Sequence, residues 1–140
     1  MSLIYRFKKE MLLDGSYVAR PRIDVVLRGV ISIEVPALID SGCDVTVIPE
    51  KIARALGLEF AGNTTTLYGY REESKVVKST ATITFLGRRE ISNVTVPVLV
   101  ALSTSESDDQ DIILGVHGIF DAFDITFRKS HNKIVLQKVP

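Results

Sequence analysis

A mostly-β domain carrying one short helix is the fold class the sequence predicts, on three observations. Apolar residues recur at every second position in three separate runs. Turn-forming residues separate these runs at short intervals, and one segment carries helix start and stop signals. Side chains alternate faces along a strand, so a period of two presents one apolar face to a core.

The first run sets Ile31, Ile33, Val35, Ala37 and Ile39 against Ser32, Glu34, Pro36 and Leu38. The second sets Ala81, Ile83 and Phe85 against Thr80, Thr82 and Thr84. The third sets Val94, Val96, Val98 and Val100 against Thr95, Pro97 and Leu99. Arg28-Gly29, Leu86-Gly87-Arg88 and Ser130-His131-Asn132 read as turns. Pro49–Gly57 reads as the helix: proline suits the first helical position, Glu50 the positive helix start, and Gly57 the residue just past the end. Ile52, Ala55 and Leu56 are expected on the face that docks on the sheet. Tyr68 to Ser74, polar and set between two strand-like runs, reads as a hairpin tip. The acidic, serine-rich stretch from Ser103 to Asp111 lacks the alternating ligands and glycine of a calcium loop and reads as a solvated loop. The first twenty residues are irregular, an extra strand or a loose arm. With no repeat and no linker, residues 1–140 are expected to form a single domain.

Composition excludes several classes of function. The 140 residues carry 17 Lys and Arg against 17 Asp and Glu, a formal charge of zero, whereas a general nucleic-acid binder is strongly basic. A hydrophobic fraction of 46% excludes an acidic disordered segment. One cysteine, Cys43, allows neither an intrachain disulfide nor a cysteine cage for zinc. No apolar run approaches the roughly 20 residues of a membrane helix. Met1 to Arg6 lacks the basic-then-apolar pattern of a signal peptide, so a cytoplasmic location is expected.

The chemically informative stretch is Pro36-Ala37-Leu38-Ile39-Asp40-Ser41-Gly42-Cys43-Asp44-Val45-Thr46-Val47-Ile48. An apolar strand ends in Asp-Ser-Gly, and a second apolar strand leads into the helix. A carboxylate at the end of a buried strand is costly unless it is used or paired. Gly42 permits a tight turn that brings backbone N–H groups to it, and Ser41 supplies a hydroxyl that can lock the loop. The same three residues also fit an ordinary Asx turn in which Asp40 caps backbone amides. About seventy residues on, Asp111-Ile112-Ile113-Leu114-Gly115 is a short apolar strand ending in glycine, followed by Ile119 to Phe127 and a final strand at Ile134-Val135-Leu136.

In this order, over roughly residues 20 to 138, the chain resembles the retropepsin-like aspartic proteases, the single-lobe family that includes retroviral proteases. The resemblance implies a closed, mostly-β barrel that works as a homodimer on peptide or protein substrates without cofactor or metal; from the charge balance and the apolar runs no nucleic-acid or membrane partner is expected. It makes Asp40 the catalytic carboxylate that each chain contributes. Ser41 would brace the paired loops across the dimer, and Gly42 would let the loop approach substrate. The hairpin with Tyr68, Gly69 and Tyr70 would be the flap, its tyrosines either closing over substrate or packing as ordinary cross-strand aromatics; Asp44, without the family's arginine, is left to find another partner, face water or contact substrate. One Asp-Ser-Gly motif per chain means that a two-carboxylate mechanism needs two chains.

The sequence departs from the family at three places. Ser41 stands where threonine is commoner. Cys43 stands where a small residue such as alanine is usual, and reads as a small buried side chain rather than a nucleophile. Val116-His117 stands where many members carry an arginine followed by Asp or Asn, and in retroviral proteases that arginine pairs with an aspartate in the position of Asp44. The alternative to an aspartic endopeptidase is a non-catalytic protein-binding or assembly module on the same fold, because fold does not fix function.

Overall fold

The computed structural model describes residues 2–60, 62–69, 72–103 and 111–140. In chain order the strands and helices are β1 (Ser2–Tyr5), β2 (Lys8–Met11), β3 (Tyr17–Arg20), β4 (Arg22–Arg28), β5 (Ser32–Ile39), β6 (Thr46–Pro49), α1 (Glu50–Leu56), β7 (Thr65–Gly69), β8 (Glu72–Leu86), β9 (Ile91–Ala101), β10 (Ile112–Leu114), α2 (Ile119–Ala122), β11 (Phe123–Arg128) and β12 (Lys133–Lys138). The fold is mostly β, and the three alternating runs became β5, β8 and β9. The second helix, α2, was not expected. It is a single turn whose start is tied by Gly118 N–H donating to the Asp121 carboxylate, 2.9 Å.

Seven strands form the main sheet in the order β4-β5-β10-β6-β9-β8-β7. The sheet curls until β4 meets β8 over Val26↔Thr84, Leu27↔Ile83 and Arg28↔Thr82. Two of its pairings are parallel, β5 with β10 and β6 with β9. Parallel neighbours cannot be joined by a tight turn, so each brings together segments distant in sequence. β8 and β9 form the longest hairpin, from Val76↔Ala101 to Leu86↔Ile91. β7 pairs antiparallel with the first part of β8, from Thr65↔Val76 to Gly69↔Glu72.

The main core lies inside the curl. Ile23, Val25 and Leu27 of β4, Ile83 and Phe85 of β8, and Val98 and Val100 of β9 are all buried there. The ring of Phe85 meets that of Phe123 edge-on at 4.9 Å, within the range aromatic pairs favour. α1 closes one side. Its first helical residue is Glu50, and Pro49 belongs to the end of β6 as the cap. Gly57 holds φ 72° as a C-terminal cap should, with its N–H on Arg54 and the Leu58 N–H on Ala53, each 3.0 Å. The docking face differs by one residue from expectation: Ala53 is buried with Leu56, and Ala55 is exposed. Ile52, Ala53 and Leu56 follow the i, i+1, i+4 spacing of one helical stripe, and Ala55 falls off its edge.

The first twenty residues are both a strand and an arm. β1 joins β12 and β11 in a three-stranded sheet, with Leu3 buried against the core. β2 and β3 form a separate hairpin with exposed Met11, Leu13 and Tyr17 at its end. Tyr5 links β1 to the main sheet through its hydroxyl, which donates to the Leu86 carbonyl at 3.2 Å. Burial, helped by the Asp24 carboxylate, pushes its phenol up from 10.0 to about 12. A raised folded-state value stabilises the fold fully below the unfolded value, and this contribution is lost as pH climbs from 10 toward 12. Ultraviolet titration is expected to show one phenol ionising near pH 12 that Tyr5→Phe removes. An unchanged titration curve in the variant would refute this assignment.

Candidate active site

β5 delivers Asp40 to the end of the sheet. Ile39 is buried in the core, and the Asp40 N–H donates to the Leu114 carbonyl of β10 at 3.1 Å. Asp40 Oδ1 accepts the Gly42 N–H at 2.8 Å, and the Asp40 carbonyl accepts the Cys43 N–H at 3.2 Å. The loop therefore is an Asx turn, and the same turn presents the half-buried carboxylate at its mouth. Gly42 does not use the left-handed backbone region reserved to glycine. Its lack of a side chain matters through space instead, because a Cβ there would stand 3.2 Å from Asp40 Oδ1. Ser41 and Asp44 are exposed on this loop.

A second loop backs the first. Gly115 is buried directly after β10, and its N–H donates to Thr46 Oγ1 at 3.1 Å. Thr46 is fully buried, so this bond gives its hydroxyl a partner where water cannot. The Val116 N–H donates to the Cys43 carbonyl at 2.9 Å and the His117 N–H to the Asp44 carbonyl at 2.8 Å. Backbone hydrogen bonds thus join the two loops. Sequence reasoning missed Thr46. Its signal was a polar residue in the middle of the apolar run Val45-Thr46-Val47-Ile48.

Beside the loop lies a cleft of about 560 Å³. Asp40, Gly42 and Asp44 line it from the loop, and Tyr68 and Gly69 from the β7–β8 hairpin. Ile113 pairs with Val47, and Val47 with Leu99, so these three side chains share one sheet face and form an apolar floor. A larger cleft of about 770 Å³ lies between the N-terminal segment and β4. It contains none of the motif residues, so volume alone does not locate the chemistry. Of the residues singled out from sequence, Asp40, Gly42, Asp44, Tyr68 and Gly69 come together here, and Ser41 is exposed and does not line the cleft. Tyr70 and residues 104–110 of the acidic stretch lie outside the described residues.

Cys43 also lines the cleft, with Sγ 3.1 Å from the Val45 carbonyl. Burial pushes its thiol above the ordinary value, and the Asp40 and Asp44 carboxylates push in the same direction. The protonated thiol is a poor nucleophile. Alkylation by iodoacetamide at pH 7 is expected to be slower than for a small free thiol, and to accelerate only above pH 9. Labelling at pH 7 as fast as the free thiol would show an activated cysteine.

The family model described as aspartyl protease matches residues 23–117, which span both loops. Among solved structures, a retropepsin-like aspartic protease from Rickettsia conorii superposes with a TM-score of 0.58 at 14% identity, covering 97% of this chain and 90% of its own. The retroviral protease-like domain of Ddi1 from Leishmania major superposes with a TM-score of 0.56 at 12% identity, over 88% of this chain and 96% of its own. EIAV protease complexed with an inhibitor gives 0.48 at 23% identity, over 69% and 81%. A search of the curated proteins finds no match. The fold is therefore retropepsin-like. By its family match the chain belongs to the aspartyl proteases. Among the described residues no helix is long and apolar enough to cross a membrane.

Proposed function

We propose that the protein is an aspartic endopeptidase acting as a homodimer, with one Asp40 from each chain forming the working pair. The observation that carries this reading is the Asp40 carboxylate, held at a strand end by the Gly42 N–H and opening on a cleft with an apolar floor. Two carboxylates brought close share one proton and titrate as a unit. The ionised one takes a proton from a water molecule, whose oxygen attacks the peptide carbonyl carbon. The protonated one hydrogen-bonds the carbonyl oxygen. As the C–N bond breaks, a proton passes to the leaving nitrogen. The exposed Ser41 hydroxyls brace the two loops across the two-fold axis. The β7–β8 hairpin is the flap, which brings Tyr68 and Gly69 over an extended peptide. The floor of Val47, Leu99 and Ile113 takes an apolar side chain next to the bond that is cut.

The test is cleavage of a diverse peptide library from about pH 3 to pH 8, beside sedimentation of the same preparation. A dimer, an acidic maximum and cuts next to apolar residues are expected. A strict monomer that still cleaves, or a rate that does not vary with pH, would exclude the shared pair. The backbone ties at Val116 and His117, in place of the arginine pair, favour the second reading of a non-catalytic binding module. A well-folded dimer that cuts nothing in the library would establish that reading instead.

A further inference from the structure

Arg22 opens β4, pairs with Leu38 of β5, and Leu38 pairs with Ile113 of β10. Direct partners share a sheet face, so the Arg22 side chain lies on the side of the sheet that carries the cleft floor. Its guanidinium meets the Asp111 carboxylate as a fork, Nη1 to Oδ1 at 2.7 Å and Nη2 to Oδ2 at 3.0 Å. Nη2 also reaches Glu10 Oε1 at 3.3 Å, and Glu10 holds Arg20 as well. Exposed ion pairs contribute little, but the Arg22 side chain is only 13% exposed and the fork fixes both partners in orientation. Asp111 lines the cleft and stands immediately before β10. That strand supplies Ile113 to the floor and the Leu114 carbonyl that accepts the Asp40 N–H.

We propose that Arg22 is a positioning residue for the cleft: it clamps Asp111 at the head of β10, and Glu10 ties the N-terminal hairpin to the same clamp. The inference rests on the reading of this cleft as the substrate site. Substrate affinity then depends on a residue that does not line the cleft, and the β2–β3 arm becomes part of the substrate-binding apparatus rather than an ornament.

The experiment uses Arg22→Lys, which keeps the charge and loses the fork. KM for a peptide cut by the wild type is expected to rise about fivefold with kcat within about twofold, because a lysine cannot hold both carboxylate oxygens. Asp111→Asn is expected to raise KM likewise, and the double variant to add nothing further, as for two residues acting as one unit. Glu10→Gln gives a smaller rise in the same direction. Unchanged KM in Arg22→Lys, or a double variant whose effects simply add, overturns the clamp. If the wild type cuts no peptide, the parent reading fails and the clamp is read separately by hydrogen exchange. The Ile112 to Leu114 amides then exchange faster in Arg22→Lys and unchanged in Arg54→Lys, a control on α1. Equal exchange in both variants rejects the clamp.

Discussion

Asp40→Asn is expected to abolish peptide cleavage while leaving the fold intact. An asparagine keeps an oxygen for the Gly42 N–H, so the turn at 2.8 Å survives. It cannot take a proton from water. Loss of a positioned acid–base group typically costs about 10²–10⁴-fold, and under the proposed pairing of one Asp40 from each chain the variant lacks both carboxylates, so the fall is expected at the upper end. The check is kcat/KM of the purified variant beside circular dichroism and sedimentation. Cleavage within tenfold of wild type from a variant dimer would remove Asp40 from the mechanism, and a collapsed fold would mark it as structural.

Gly115→Ala is expected to damage both the fold and the site. A Cβ at this position runs into the Val45 carbonyl carbon and stands 2.7 Å from the Val45 oxygen and 2.8 Å from the Thr46 nitrogen. These are backbone atoms, which cannot rotate away as a flexible side chain can. Overpacking of this kind costs about 1–3 kcal/mol or more, which a denaturant midpoint reads directly. Any relief must move the strand that starts at Thr46 away from the loop that starts at Gly115. That movement breaks the buried Gly115–Thr46 bond and slackens the ties from Val116 and His117 to the Asp40 loop. Activity is therefore expected to fall more than the lost stability explains. A variant with wild-type stability would show that the two segments part freely.

The fold class and the core strands were legible because burial here follows a period of two. Ile83, Phe85, Val96, Val98 and Val100 are buried as their alternation predicts. The Asp40 loop was legible because an apolar strand broken by Asp-Ser-Gly is a local pattern. The partners of that loop were not. Thr46 reads as an ordinary strand residue until Gly115 is known to donate to it, and the two lie 69 positions apart. Arg22 and Asp111 are 89 positions apart and look like two solvated charges in sequence. Ala53 and Ala55 are chemically identical, so only the exact phase of α1 against the sheet decides which is buried. The tie of Val116 and His117 to Cys43 and Asp44 runs through main-chain atoms, which carry no residue signature.

The two parallel pairings have a consequence for how the protein is made. β5 and β10 cannot meet until residue 114 exists, and the Asp40 N–H has no carbonyl to bond until then. Long-range pairings of this kind form slowly, and a growing chain acquires them only near the end of the domain. A ribosome-bound fragment ending before β10 would carry the Asp-Ser-Gly motif without the support that shapes it. Under the proposed activity, a chain still in synthesis is thereby kept from cutting its neighbours.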